Sequence, residues 1–131
     1  MIGVVLITHG QIGQAMLDVA SRLVEFDRQY VQAVSSCAYD QKRLLKRVKG
    51  AFLMIPEVDG FLVLTDLFGA TPTNITQFFT DTTNLSVISG LNMPMLLKAL
   101  TYYQNSDLND ISQKVHDAAR ACIVLQQGNI E

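Results

Sequence analysis

A small doubly wound α/β domain is the fold this sequence predicts, and three observations predict it. Strand-like and helix-like patterns alternate along all 131 residues. Two of the strand-like runs, residues 3–8 (GVVLIT) and 60–65 (GFLVLT), are apolar throughout, as strands buried on both faces are. The segments between strands repeat their apolar residues at helical spacing, so helices should cover both faces of a mainly parallel sheet.

After the first strand, Ile12, Met16, Val19, Leu23 and Phe26 recur on one helical face, with Gln14, Asp18, Arg22 and Glu25 opposite. Residues 30–36 (YVQAVSS) alternate as a half-buried edge strand does. Asp40 is placed to cap a helix that buries Leu44, Val48, Ala51, Phe52 and Ile55. Beyond the strand at 60–65, Thr71 as N-cap and Pro72 at the first helical position open a helix through Ile75, Phe78 and Phe79. Residues 85–89 (LSVIS) form another strand, and Pro94 opens a helix reaching about Tyr103. A last helix, about residues 107–120, carries Leu108, Ile111, Val115 and Ala119. Ile123, Val124 and Leu125 follow it as a short β-prone run.

Composition narrows the function classes. The chain reads as one domain over residues 1–131, long enough to bury a core without a metal or disulfide. No apolar stretch approaches the ~18 residues of a membrane span, and the first residues lack a basic leader and an A-x-A cleavage pattern. A cytoplasmic location with no membrane insertion is the expectation. Cys37 and Cys122 sit far apart in apolar runs, as thiols in a reducing compartment. With a formal charge of −2, the one basic cluster, residues 42–49, reads as a solvated helix face and not as a nucleic-acid stripe.

His9 is one of only two histidines and stands at the lip of the first buried strand. In a doubly wound sheet, ligands bind beyond the carboxyl ends of the strands, where neighbouring connections leave in opposite directions. Asp66 ends the second apolar strand, so a carboxylate can hold one ring nitrogen and leave the other as a nucleophile. The GATPTN stretch, with Gly69, Ala70 and Thr71, offers a helix N-terminus suited to an anion. Residues 3–13, 64–75 and 88–97 contain no Lys or Arg, and no phosphate-binding loop or metal-ligand cluster occurs. A nucleophile without its own cation holds a phosphoryl group in transferable form, which is the logic of a relay. The other histidine, His116, reads as a surface residue.

Those motifs carry a resemblance. THG after the first strand, DLFGATPTN after the third and SGLNMPML after the fourth resemble the enzyme IIA domain, mannose family, of the bacterial phosphoenolpyruvate-dependent sugar phosphotransferase system. The resemblance implies a phosphotransferase without a cofactor or metal, in which His9 takes phosphate from the carrier HPr and passes it to a separate IIB protein. It implies Asp66 as hydrogen-bonding partner of His9, and Gly69, Ala70 and Thr71 around the phosphoryl group. It also implies a homodimer in which the last strand, antiparallel, is exchanged between subunits. Phe68 and Met93 flank the motif loops and are candidates for docking HPr. No fused IIB domain is expected, and without an acceptor the phosphorylation state itself would act as a regulatory signal.

Competing functions fit less well. A response-regulator receiver needs an acidic pair after the first strand, where this chain has His9 and Gly10. Histidine phosphatases set their histidine in R-H-G with further arginines, and here Thr8 precedes it. A non-catalytic ligand-binding or interaction module, or the phosphotransfer subunit of a dihydroxyacetone kinase, are the remaining alternatives.

Overall fold

Strand β1 (Ile2–Thr8) is buried at every position, and β3 (Gly60–Thr65) at all but Phe61. Such strands need cover on both sides. The computed structural model, which describes residues 1–36, 40–67 and 84–130, puts them at the centre of a parallel sheet. The edges are β2 (Val31–Ser35) and β4 (Leu85–Ser89), and the order is β2–β1–β3–β4. The alternating run at 30–36 is therefore an edge strand, as its pattern predicts.

Alternation along β1 sends Ile2, Val4 and Leu6 to one face and Val5 and Ile7 to the other. The first set packs under α1 (Ile12–Ala20), α3 (Met93–Tyr102) and α4 (Leu108–Ala121). The second packs against α2 (Gln41–Met54) through Leu44, Val48, Ala51 and Phe52, with Ile55 just beyond the helix. Phe52 stacks on Phe61 with ring centroids 4.4 Å apart. Helices thus lie on both faces, and the chain is an α/β domain of the doubly wound kind.

Caps set the helix starts. The Asp40, Asn92 and Asp107 carboxylate or amide oxygens accept from the N–H groups of Arg43, Met95 and Asp110 at 2.8, 2.9 and 2.8 Å. Helix α1 is shorter than its apolar repeat suggests. It closes at Ala20, where the Arg22 and Leu23 N–H groups bond three residues back to Val19 and Ala20. Phe26 still packs on the core, but from a turn.

One expectation is corrected, that for Cys122. It caps α4 at the surface and is not a core thiol. Within the single chain residues 123–130 form no strand, and Ile123, Val124 and Leu125 are exposed, Val124 by 69 %. Cys37 and the helix expected after Thr71 lie outside the described residues. Among the described residues, no helix is long and apolar enough to cross a membrane.

Burial predicts where substitutions hurt. Leu62 is wholly buried between β1 and β4, so Leu62→Ala should cost about 2–5 kcal/mol by leaving a cavity. Leu53 is mostly exposed on α2, and Leu53→Ala should stay within about 0.5 kcal/mol of wild type. Urea unfolding of the two variants checks the contrast.

Candidate functional site

The β1–β3 register, with Ile7 opposite Thr65, carries the next residues of both strands to one edge of the sheet. Connections leave β1 towards β2 and β3 towards β4, in opposite directions, so this edge is the topological switch point. His9 and Asp66 meet there. Asp66 Oδ2 accepts from the His9 backbone N–H at 2.9 Å and lies 3.0 Å from Nδ1 of the ring. Its other oxygen accepts from the Leu67 N–H at 3.0 Å.

Local sequence holds this arrangement in place. Thr8 is 1 % exposed, and its hydroxyl oxygen accepts from the Gly13 N–H at 2.8 Å. A Cβ on residue 13 would stand 3.0 Å from that oxygen, a tight contact, so glycine eases the close approach of the first turn of α1. Gly10 turns the chain with φ +51, a conformation glycine adopts without strain. On the other side, the Thr65 carbonyl accepts from the N–H groups of both Gly90 and Leu91 at 2.9 Å, and the Thr65 and Ser89 hydroxyls are 2.8 Å apart. The Asn92 amide nitrogen donates to the Ala119 carbonyl at 3.2 Å while its oxygen caps α3. The SGLN stretch therefore fastens β4, α3 and α4 behind Asp66.

The contacts set the charge of the carboxyl. Burial works to raise the Asp66 pKa, but the His9 backbone N–H, the His9 ring and its charge, and the Leu67 N–H together outweigh it, so the carboxyl stays below its ordinary value. An ionised carboxylate only accepts hydrogen bonds, so the ring proton belongs on Nδ1. In the neutral ring this leaves the lone pair on Nε2, on a side chain that is 56 % exposed, against 16 % for Asp66. The arrangement can present a nucleophilic nitrogen to solvent and stabilise positive charge on the ring behind it.

Of the residues expected around this pair, Phe68, Gly69, Ala70 and Thr71 lie outside the described residues. Met93 opens α3 half-buried and packs against the core, which leaves it only a small outer surface. Leu67, 63 % exposed, and Ile12, exposed at the start of α1, are the apolar residues that flank His9 and Asp66 in the chain. Their places directly after Asp66 and three after His9 were the available signal. A third residue also escapes sequence reasoning. The motif segments hold no cation, yet α2 brings Arg47 to a cleft of about 160 Å³ at the carboxyl ends of β1 and β2. Thr8, Gly10, Gln11, Gln14 and Ser35 also line it. Among the described residues no three His, Cys, Asp or Glu side chains are grouped to hold a metal. His116 is a half-exposed surface residue beside Asp117.

Known proteins share the fold of this chain. The family model for the PTS (phosphotransferase system) fructose IIA component matches residues 3–116, so the chain belongs to the mannose/fructose family of phosphotransferase-system IIA components. The PTS system fructose-specific EIIA component of Bacillus subtilis (strain 168) is 25 % identical over 112 residues, covering 85 % of this chain and 77 % of that protein. Among solved structures, phosphotransferase system component EIIA from Streptococcus agalactiae superimposes with a TM-score of 0.80 at 24 % identity, over 95 % of this chain and 96 % of that one. The mannose/sorbose-specific IIA subunit from Enterococcus faecalis gives 0.79 at 22 % identity, over 98 % and 97 %. These structural likenesses establish the fold, and the family establishes a phosphotransfer role in the sugar phosphotransferase system.

The lowered Asp66 pKa has a signed consequence. A carboxyl that ionises more readily folded than unfolded adds stability above the unfolded value, about 3.9, and loses it as pH falls through the lower folded value. Asp66→Asn lacks this component, so its stability should fall less steeply than wild type below about pH 4. Urea midpoints between pH 2 and 5 test this, with a carboxyl NMR titration of Asp66 expected to show a midpoint below the ordinary aspartate value.

Proposed function

We propose that the protein is a phosphoryl carrier in which His9 Nε2 accepts phosphate from an HPr-type phosphocarrier and passes it to a IIB protein. The Nε2 lone pair attacks phosphorus in line, the N–P bond of the donor phosphohistidine breaks, and the donor ring keeps the bonding electron pair. The His9 ring, already protonated at Nδ1, then carries positive charge. Asp66 stabilises that charge and fixes the tautomer. The single observation that supports this reading is the 3.0 Å contact between Nδ1 and Asp66 Oδ2 at the switch point of a IIA-family fold. In the same reading Gly69, Ala70 and Thr71 cradle the phosphoryl group, and Phe68, Leu67, Ile12 and the outer surface of Met93 meet the partner protein. The reaction uses no cofactor or metal, the location is cytoplasmic, and the phosphorylated form serves as a regulatory signal where no IIB acceptor is at hand.

Incubation with phosphoenolpyruvate, enzyme I and HPr should label wild type on a site that is stable to base and labile to acid. His9→Ala should take no label, and Asp66→Asn should fold but accept phosphate more slowly. Label that survives acid, or that persists in His9→Ala, contradicts the assignment.

The reading includes a homodimer. The exposed apolar run at Ile123, Val124 and Leu125 is a liability in a lone chain, and β4 leaves an open edge within one subunit among the described residues. Exchange of this segment, antiparallel against the partner's β4, satisfies both with one two-fold operation. Val124→Asp should weaken the dimer and deletion of residues 122–131 should weaken it more, as read by sedimentation. A well-folded wild-type monomer at micromolar concentration rules the exchange out.

A further inference from the structure

Among the described residues two polar side chains are buried, Thr8 and Thr65. Thr65 is 2 % exposed at the end of β3. By strand alternation it follows Phe61 and Val63 on the face that packs against α2, where another apolar residue would fit the pattern. A valine there would match threonine in its branching and bring no polar atom to satisfy. The end of the strand is fastened without the hydroxyl. The Thr65 carbonyl accepts from the Gly90 and Leu91 N–H groups at 2.9 Å, which ties β3 to the turn after β4 through backbone alone.

The contacts of the hydroxyl lead instead to the turn that presents Asp66. Thr65 Oγ1 lies 3.2 Å from the Leu67 carbonyl oxygen and 2.8 Å from Oγ of Ser89, its register partner on β4. Thr65 has one hydroxyl hydrogen, and a carbonyl only accepts. Both contacts are hydrogen bonds together only when Ser89 donates to Thr65 and Thr65 donates to Leu67. Leu67 is then held from two sides, because its own N–H donates to Asp66 Oδ1 at 3.0 Å. With that oxygen committed, Asp66 Oδ2 faces His9, 2.9 Å from the backbone nitrogen and 3.0 Å from Nδ1 of the ring.

We propose that Thr65 is a positioning residue for phosphoryl transfer, its hydroxyl held by Ser89 and in turn holding the Leu67 carbonyl so that Asp66 keeps its place on His9 Nδ1. The part in transfer rests on the relay reading, whereas the positioning of Asp66 does not. The test compares isotope-labelled wild type, Thr65→Val and Thr65→Ser by NMR. In Thr65→Val the Asp66 carboxyl midpoint should rise towards the ordinary aspartate value, and the neutral His9 ring should carry less of its proton on Nδ1. Thr65→Ser keeps the hydroxyl and should restore both signals. A Thr65→Val protein that loses urea resistance while both signals stay as in wild type would make the residue structural only and overturn the proposal. So would a folded Thr65→Ser that behaves as Thr65→Val. Should Thr65→Val fail to fold, Ser89→Ala carries the test, with a smaller rise of the Asp66 midpoint expected and an unmoved one overturning the hydroxyl chain. With phospho-HPr as donor, Thr65→Val should accept phosphate about threefold to tenfold more slowly than wild type, and Thr65→Ser at close to the wild-type rate. A wild-type rate in Thr65→Val would overturn the part in transfer. A wild type that takes no phosphate would sink the relay reading, and the two NMR signals would still decide whether Thr65 positions Asp66.

Discussion

Parallel pairing of β1 with β3, in the register that sets Ile7 opposite Thr65, is the constraint on which the rest depends. Because these two strands are neighbours, their following residues share one edge although 57 positions separate His9 from Asp66 in the chain. Their onward connections diverge towards β2 and β4. The carboxylate then takes two hydrogen bonds from His9, one from the backbone and one from the ring. The backbone bond places the residue and the ring bond favours the proton on Nδ1, so one oxygen bears on both the position of the ring and its tautomer.

Magnitudes separate what holds the fold from what equips the site. A fully buried Leu, Ile or Val side chain contributes roughly 1.5–3 kcal/mol, and the core contains many of them. A half-exposed ion pair contributes about 0–1 kcal/mol. The His9–Asp66 pair is therefore marginal to the fold. The same division explains why Thr8 and Thr65 are the buried polar residues of the described chain. Each ends a central strand, and each spends its hydroxyl locally, on Gly13 or on Ser89 and Leu67, where an unpaired group would be costly. The rigid threonines set the base from which the exposed pair projects.

Charge is arranged asymmetrically around the histidine. The carboxylate lies towards β3, and the nearest described cation in the cleft, Arg47, comes from α2 on the β2 side. The carboxylate side of the ring can support positive charge on it. A phosphatase or kinase concentrates cations or metal on the phosphoryl oxygens instead.

The chain's own order of residues determined the class of fold, the central strands and the pair at their ends. Continuous apolar runs of strand length, alternating with helical patterns, read as doubly covered strands, and the residue types that end them, His9 and Asp66, are legible by position. The buried face of α2, Leu44, Val48, Ala51 and Phe52 with Ile55 beyond it, and the Asp40 cap follow from spacing and local hydrogen bonding, which act over a few residues. Periodicity failed at the end of α1, where Leu23 and Phe26 kept the apolar repeat but the chain had already turned. Tertiary structure alone decided that Met93 packs against the core, that Leu67 and Ile12 stand out beside the histidine, and that Arg47 reaches the cleft next to Gly10. These are consequences of crossover connections that bring distant segments to one edge of the sheet. No spacing along the chain encodes them, because they depend on how helices seat on a sheet whose order is set by all the strands together.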